Sequence, residues 1–192
     1  MRVCVFCSSS SAVPAAYWQA ALDLGTEIGA RGHSLVFGGA KVGLMGQVAR
    51  AASAAGSRVT GVIPRSLNRR DVADERADET ILTDSLAERK NTMIALAEAF
   101  VALPGGFGTL DELLEVLTLK QLGELNVPVV LLNTEAYYAP LLAFFEQFYA
   151  RSFAREAFRG LYQVAESAGE ALHLVENYQP FKVPAKWFEV RA

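Results

Sequence analysis

Short apolar runs rich in valine and leucine alternate with longer stretches of helical character, and this alternation constrains the fold more than any other feature of the chain. The runs are Arg2–Phe6, Ser34–Phe37, Arg58–Ile63, Glu79–Leu82, Ala99–Leu103, Val127–Leu132 and Leu161–Ala165. Most lack the polar–apolar alternation of a half-exposed strand, as expected of parallel strands covered on both faces. Between them the spacing predicts helices over Ala15–Ala30, Leu44–Ala55, Ser85–Ala97, Thr109–Gly123, Tyr137–Ala150 and Gly169–Tyr178. Strands that alternate with helices in this way build an α/β fold, a doubly wound parallel sheet of about seven strands with helices on both faces. Ligands of such sheets bind beyond the carboxyl ends of the strands, so the loops there carry the functional information. No internal repeat, low-complexity tract or linker interrupts the pattern, and the 192 residues read as a single domain, 1–192.

Composition narrows the function classes. Apolar residues make up 52% of the chain and charged ones 20%, the balance of a globular protein rather than a disordered one. The longest strongly apolar stretch, Val127–Leu132, is far short of the roughly 20 residues that span a bilayer. The N-terminus turns to serines after Cys7, too soon for the apolar core of a signal peptide, so a cytoplasmic location is expected. With 18 Lys and Arg against 21 Asp and Glu, the net charge is −3. That disfavours general nucleic-acid binding, whose affinity comes largely from neutralised phosphates. Cys4 and Cys7 form a C-x-x-C, but inside a strand-like run, where residues three apart face opposite ways; they read as two small buried apolar residues. His33 and His173 stand far apart with no metal-ligand spacing.

Two glycine-rich loops follow strands. Gly38-Gly39-Ala40-Lys41-Val42-Gly43-Leu44-Met45-Gly46 fits neither G-x-G-x-x-G nor the P-loop spacing. It does join a strand end to a helix start, where glycine permits close backbone approach and positive φ. The second loop, Pro104-Gly105-Gly106-Phe107-Gly108-Thr109-Leu110-Asp111-Glu112, opens a helix with Leu110, Leu113, Leu114 and Leu117 at helical spacing. The free N–H groups of that first turn form a ready phosphate site, and Thr109 is positioned to cap the helix. Glu112 has two readings: the acid of a Thr-x-x-Glu capping box, or a carboxylate that faces the cleft and does chemistry. Spacing alone leaves both open. Arg89 and Lys90 flank the centre of an apolar stripe through Leu86, Met93, Ala97 and Phe100, which suggests a polar cleft bordered by cations that face an anionic ligand. The polar stretch Ser66–Asp78 is either a flap over that cleft or a solvated connection, the latter being the commoner case.

These residues resemble the LONELY GUY (LOG) family of cytokinin riboside 5′-monophosphate phosphoribohydrolases, often labelled "lysine decarboxylase". The similarity runs from Val3–Cys7 to Tyr178-Gln179-Pro180. Its most specific part is Pro-Gly-Gly-x-Gly-Thr-x-x-Glu at Pro104–Glu112, preceded by Arg89-Lys90; Gly43-Leu44-Met45-Gly46 and Gln121-Leu122-Gly123 also match. The resemblance implies a Rossmann-like fold and hydrolysis of the N-glycosidic bond of a nucleoside 5′-monophosphate, giving a free base, often an N6-substituted adenine, and ribose 5-phosphate. It implies Arg89 and Glu112 as the catalytic pair. Lys90, Gly105, Gly106, Gly108, Thr109, Thr118, Gly39, Gly43 and Met45 are implied in the nucleotide site, and Asp71 where the family usually has a substrate-contacting glutamate. It implies no metal or redox cofactor. The chain departs from the family's usual residues at Ser8, Ala40, Leu86, Ala87, Leu119, Leu125 and Val127, which bears on base preference. The decarboxylase label conflicts with the residues: a pyridoxal-phosphate enzyme needs a Schiff-base lysine with a partner for the pyridinium nitrogen, and no lysine here has that context. A nucleotide-binding module that does not hydrolyse its ligand is the competing reading.

The segment Tyr137–Tyr149 places Tyr138, Leu141, Leu142, Phe145, Phe148 and Tyr149 on one helical face, with Tyr137 and Phe144 on a flank. Apolar side chains around that much of the circumference call for a second buried surface, and a homodimer is expected; the family points the same way.

Overall fold

The computed structural model describes residues 1–68, 72–74 and 76–182. Seven strands form one all-parallel sheet: β1 (Arg2–Phe6), β2 (Ser34–Phe37), β3 (Val59–Pro64), β4 (Glu79–Thr83), β5 (Ala99–Ala102), β6 (Val129–Leu132) and β7 (Gln163–Ala165), in the order β4-β3-β2-β1-β5-β6-β7. The helices are α1 (Ala15–Ala30), α2 (Gly43–Ala54), α3 (Leu86–Leu96), α4 (Phe107–Leu122), α5 (Ala139–Ala150) and α6 (Ala168–Glu176), with three short 3₁₀ turns among the connections.

The sheet is buried on both sides because its residues divide between two cores. Val3, Val5 and Cys7 pack with α1, α2 and α6 on one face, through Leu24, Ile28, Leu44, Val48 and Leu172. Cys4, Phe6 and Phe100 pack with α3, α4 and α5 on the other, through Met93, Leu113 and Phe145. The C-x-x-C therefore straddles the sheet, both thiols free and buried. Gly25 lets α1 and α2 approach closely: a Cβ there would lie 2.4 Å from the Val48 carbonyl oxygen.

The order places β1 beside β5, and from this pair the chain leaves in opposite directions. β1 is followed by α1 and β2, while β5 is followed by α4 and β6. Such a reversal opens a crevice at the carboxyl ends, the usual ligand position of an open α/β sheet. The loops that meet there follow β1 (Cys7–Ser11), β2 (Gly38–Val42) and β5 (Leu103–Gly106).

Most expected elements are present, with β1, β2 and α1 at the expected bounds. Two differences matter. First, α4 begins at Phe107, two residues early, with Gly106 at the N-cap and no side-chain cap. Thr109 therefore sits inside the helix and does not cap it. Second, part of the long connection after β3 is pinned rather than solvated. Residues 72–74 run antiparallel to the first glycine loop, with Lys41 N–H donating to the Val72 carbonyl (2.8 Å) and Asp74 N–H to that of Gly39 (2.9 Å). Serine N-caps backed by a glutamate three residues on do occur elsewhere. Ser85 accepts from the Glu88 N–H at α3, while Glu88 accepts from the Asp84 N–H; Ser167 and Glu170 repeat this at α6.

Candidate active site

A cleft of about 630 Å³ opens at the β1–β5 crevice. Its floor is Cys7 and the serines Ser8–Ser10 after β1. One wall is the first glycine loop with Met45, and the other is Arg89 and Lys90 of α3 with the first turns of α4.

Arg89 lies one turn into α3, on the side turned to the sheet, and is 8% exposed. Its Nε donates to the Val62 carbonyl of β3 at 3.0 Å, and its Nη1 to Glu112 Oε1 at 2.6 Å. Its Nη2 lies over Gly38, where an added Cβ would come within 2.0 Å of it. Only glycine at 38 leaves room for the guanidinium. Glu112 is 6% exposed and sits on the buried side of α4. Its carboxylate is paired with Arg89 and does not reach back to a backbone N–H, so the capping-box reading fails. Helix α4 starts too early for that box, and the cation 23 residues away in sequence is a stronger partner. Burial pushes the Glu112 carboxyl above its ordinary range; Arg89 counters the shift without cancelling it. The site thus holds a desolvated carboxylate oriented by a rigid fork.

Above the pair, the N–H groups of Phe107, Gly108 and Thr109 precede the first intrahelical bond of α4, from Leu110 N–H to the Gly106 carbonyl (3.0 Å). These N–H groups and the helix dipole make a positive end at the cleft. Lys90 stands at the same rim with its ammonium 2.9 Å from Asp111 and 2.7 Å from Glu115, and bonds to Glu115 and Asp111 raise its pKa. Phe107 is 94% exposed at the mouth.

The structure thus brings together Arg89, Glu112, Lys90, Gly106, Gly108, Thr109 and Met45 on one cleft. Three further glycines shape its walls from behind. Gly39 and Gly43 take φ of 74° and 57°, and a Cβ on Gly43 would lie 2.4 Å from the Ser9 carbonyl carbon. Gly105 is packed under Thr109, whose Oγ1 an added Cβ would meet at 2.0 Å. Thr118 is not brought to the cleft. Nine residues beyond Thr109 on α4, it lies about 13 Å further along the axis. Its hydroxyl donates to the Leu114 carbonyl (2.7 Å), and it lines a separate apolar groove with Phe144 and Phe148. Asp71 lies outside the described residues. Gly38, Ser9 and Ser10 also line the cleft, although no motif or spacing marks them for it. A serine run directly after a central strand was the available signal for two of them; Gly38 shows its role only once Arg89 is placed over it.

Comparison with known proteins agrees with this geometry. A family model described as "possible lysine decarboxylase" matches residues 45–175. The cytokinin riboside 5′-monophosphate phosphoribohydrolase LOG of Oryza sativa subsp. japonica is 43% identical over 187 residues, covering 97% of this chain and 77% of the relative. The enzyme of the same name, LOG1, of Arabidopsis thaliana is 42% identical over 179 residues, covering 93% and 84%. Among solved structures, the molybdenum cofactor carrier protein of Chlamydomonas reinhardtii superposes with a TM-score of 0.71 at 26% identity, over 91% of this chain and 95% of that one. A molybdenum cofactor binding protein of Rippkaea orientalis does so with a TM-score of 0.71 at 22% identity, over 91% and 94%. Both share the Rossmann-like fold of this chain.

Proposed function

Because the chain belongs to the family of the cytokinin riboside 5′-monophosphate phosphoribohydrolases, we propose that it hydrolyses the N-glycosidic bond of adenosine 5′-monophosphates, including N6-substituted ones, to free base and ribose 5-phosphate. The observation that carries this reading is the buried Arg89–Glu112 pair set directly beside a turn of free N–H groups. Such a turn takes the 5′-phosphate, with Gly105, Gly106, Gly108 and Thr109 forming it and Lys90 adding positive charge at its rim. Met45 stands on the facing wall, which Gly39 and Gly43 shape from behind, and the family likeness alone adds Asp71 as a substrate contact.

With the phosphate so held, the sugar lies toward Glu112. Breaking the glycosidic bond develops oxocarbenium character at the sugar, which a carboxylate in a dry site stabilises while it orients the attacking water. Arg89 favours the ionised form of that carboxylate and fixes its direction. The reaction needs the anionic form of Glu112.

Two supporting features extend the reading. The groove at α4 and α5, about 630 Å³, is lined by Leu114, Phe144, Phe148 and Phe153, with Phe144 58% and Phe153 81% exposed. Apolar surface of this extent supports a homodimer. No helix among the described residues is long and apolar enough to cross a membrane. A cytoplasmic location is part of the same proposal, and the free, buried Cys4 and Cys7 are compatible with a reducing compartment.

Incubation with AMP and with its N6-isopentenyl analogue tests the reaction directly. Free base and ribose 5-phosphate are expected in equal amounts. Recovery of unchanged nucleotide after long incubation would instead favour a carrier or sensor, whose ligand the same N–H turn would hold.

A further inference from the structure

The three carbonyls that lead into the N–H turn are each held by a different donor. The Leu103 carbonyl accepts from the Tyr138 hydroxyl at 2.7 Å, that of Pro104 from the Ser8 N–H at 3.3 Å, and that of Gly105 from the Tyr137 hydroxyl at 2.6 Å. The last of these has a particular consequence. In a trans peptide the C=O and the following N–H point in opposite directions. Holding the Gly105 carbonyl toward Tyr137 therefore turns the Gly106 N–H the other way, and Gly106 lines the cleft. This peptide joins two glycines, so neither side has a Cβ to resist its rotation. A flip would exchange a donor for a carbonyl oxygen at the place where an anion is to bind.

The segment that supplies the hydroxyl is itself held in a costly shape. Glu135 and Ala136 take φ of 52° and 56°, a left-handed conformation that non-glycine residues rarely adopt, and never gratuitously in succession. Asn133 secures the segment, accepting from the Tyr138 N–H at 2.8 Å and donating to Glu166 at 3.1 Å. The Tyr137 ring rests edgewise between Tyr17, at 5.7 Å, and Tyr138, at 5.2 Å.

We infer that Tyr137 is a positioning residue: its hydroxyl sets the Gly105–Gly106 peptide plane and thereby the affinity of the cleft for a phosphate group. The inference rests on the reading of the cleft as a nucleotide site. Tyr138 provides an internal contrast, because the residue after its carbonyl partner is Pro104, which has no N–H to aim. Its hydroxyl stabilises the loop without orienting a donor.

The test compares Tyr137→Phe and Tyr138→Phe by calorimetric binding of ribose 5-phosphate, turnover of AMP and thermal unfolding. Ribose 5-phosphate carries the phosphate but no glycosidic bond, so its binding is read whether or not the chain hydrolyses AMP. Tyr137→Phe is expected to weaken that binding about tenfold, the scale of one hydrogen bond. KM for AMP should rise by a similar factor, with kcat within about twofold and Tm lowered less than in Tyr138→Phe, because the Tyr137 bond is only part-buried whereas that of Tyr138 is buried. Tyr138→Phe is expected to lower Tm by several degrees and leave ribose 5-phosphate affinity intact. Unchanged affinity in Tyr137→Phe, or loss of affinity only in step with Tm, overturns the inference. A parent that binds ribose 5-phosphate, loses it in Tyr137→Phe and releases no base would support the inference while refuting hydrolysis. A parent that fails to bind ribose 5-phosphate overturns the inference, and hydrolysis is then decided by AMP turnover alone.

Discussion

Glu112 and Arg89 form an ion pair that is almost fully desolvated, and such a pair is seldom kept for stability. Removing two charges from water costs about as much as their attraction returns, and an apolar pair of equal volume often serves better. Its retention beside free N–H groups is the mark of a working site. If the carboxylate does the chemistry, Glu112→Gln keeps the volume and one acceptor while losing the charge. Turnover should fall at least about a hundredfold, with nucleotide binding retained. The pH profile follows from the same environment. Burial raises the Glu112 carboxyl, so its active anion is lost as pH falls through that raised value. The acid limb of kcat/KM should therefore lie above the ordinary carboxylate range and vanish in Glu112→Gln. A variant that turned over nearly as fast as the parent would remove Glu112 from the mechanism.

Among the elements, α4 carries two buried charges of opposite consequence. Glu112, near its start, meets a cation. Lys120, near its end, is 1% exposed and among the described residues meets neutral groups: the Val127 carbonyl at 2.8 Å and the face of Tyr178 at 4.5 Å. Burial pushes its pKa down to about 8. A lysine whose folded pKa lies below its unfolded value, about 10.4, destabilises the fold while it is charged. The penalty is fully present below about pH 8 and disappears as pH rises toward the unfolded value, a span worth about 3 kcal/mol. Lys120→Met removes it. In urea unfolding, the stability difference between variant and parent should change in the parent's favour by about 2–3 kcal/mol from pH 7.5 to pH 10.5. Loss of the bond to Val127 is independent of pH and cancels in that comparison. Parallel stability curves would show that the amine carries no such penalty.

At the scale of the whole molecule, the two halves of the sheet serve different ends. The crevice between β1 and β5 gathers polar loops, whereas the α4–α5 side leaves aromatic rings exposed. The inward face of α5 is filled as its spacing predicts, by Tyr138, Phe145 and their neighbours. The flank at Tyr137 and Phe144 remains open, 40% and 58% exposed. The C-terminal helix α6 packs on the opposite side of the sheet, with α1, and leaves that flank uncovered. Sedimentation at micromolar concentration is expected to give a species of twice the 20.8 kDa chain mass, and Phe144→Glu should shift it toward the single chain. A parent that sediments as one 20.8 kDa species would exclude the dimer.

What the amino-acid sequence determined by itself is local or periodic. Apolar runs such as Arg2–Phe6 and the helical spacing of Ala15–Ala30 read directly as β1 and α1, because side-chain periodicity is a property of neighbours in the chain. The glycine loop before α4 was legible for the same reason: a strand end, glycines and a helix start are adjacent. The tertiary structure alone decided everything that depends on partners distant in sequence. Whether Glu112 caps a helix or faces a cleft was undetermined until Arg89 lay 2.6 Å away. Gly38 matters because a guanidinium from α3 occupies the space of its missing side chain, and Tyr137 because its hydroxyl meets a carbonyl 32 residues earlier. Strand order belongs to the same class. Seven buried strands satisfy their backbones in many orders, and packing of both faces at once selects the one that opens a crevice between β1 and β5.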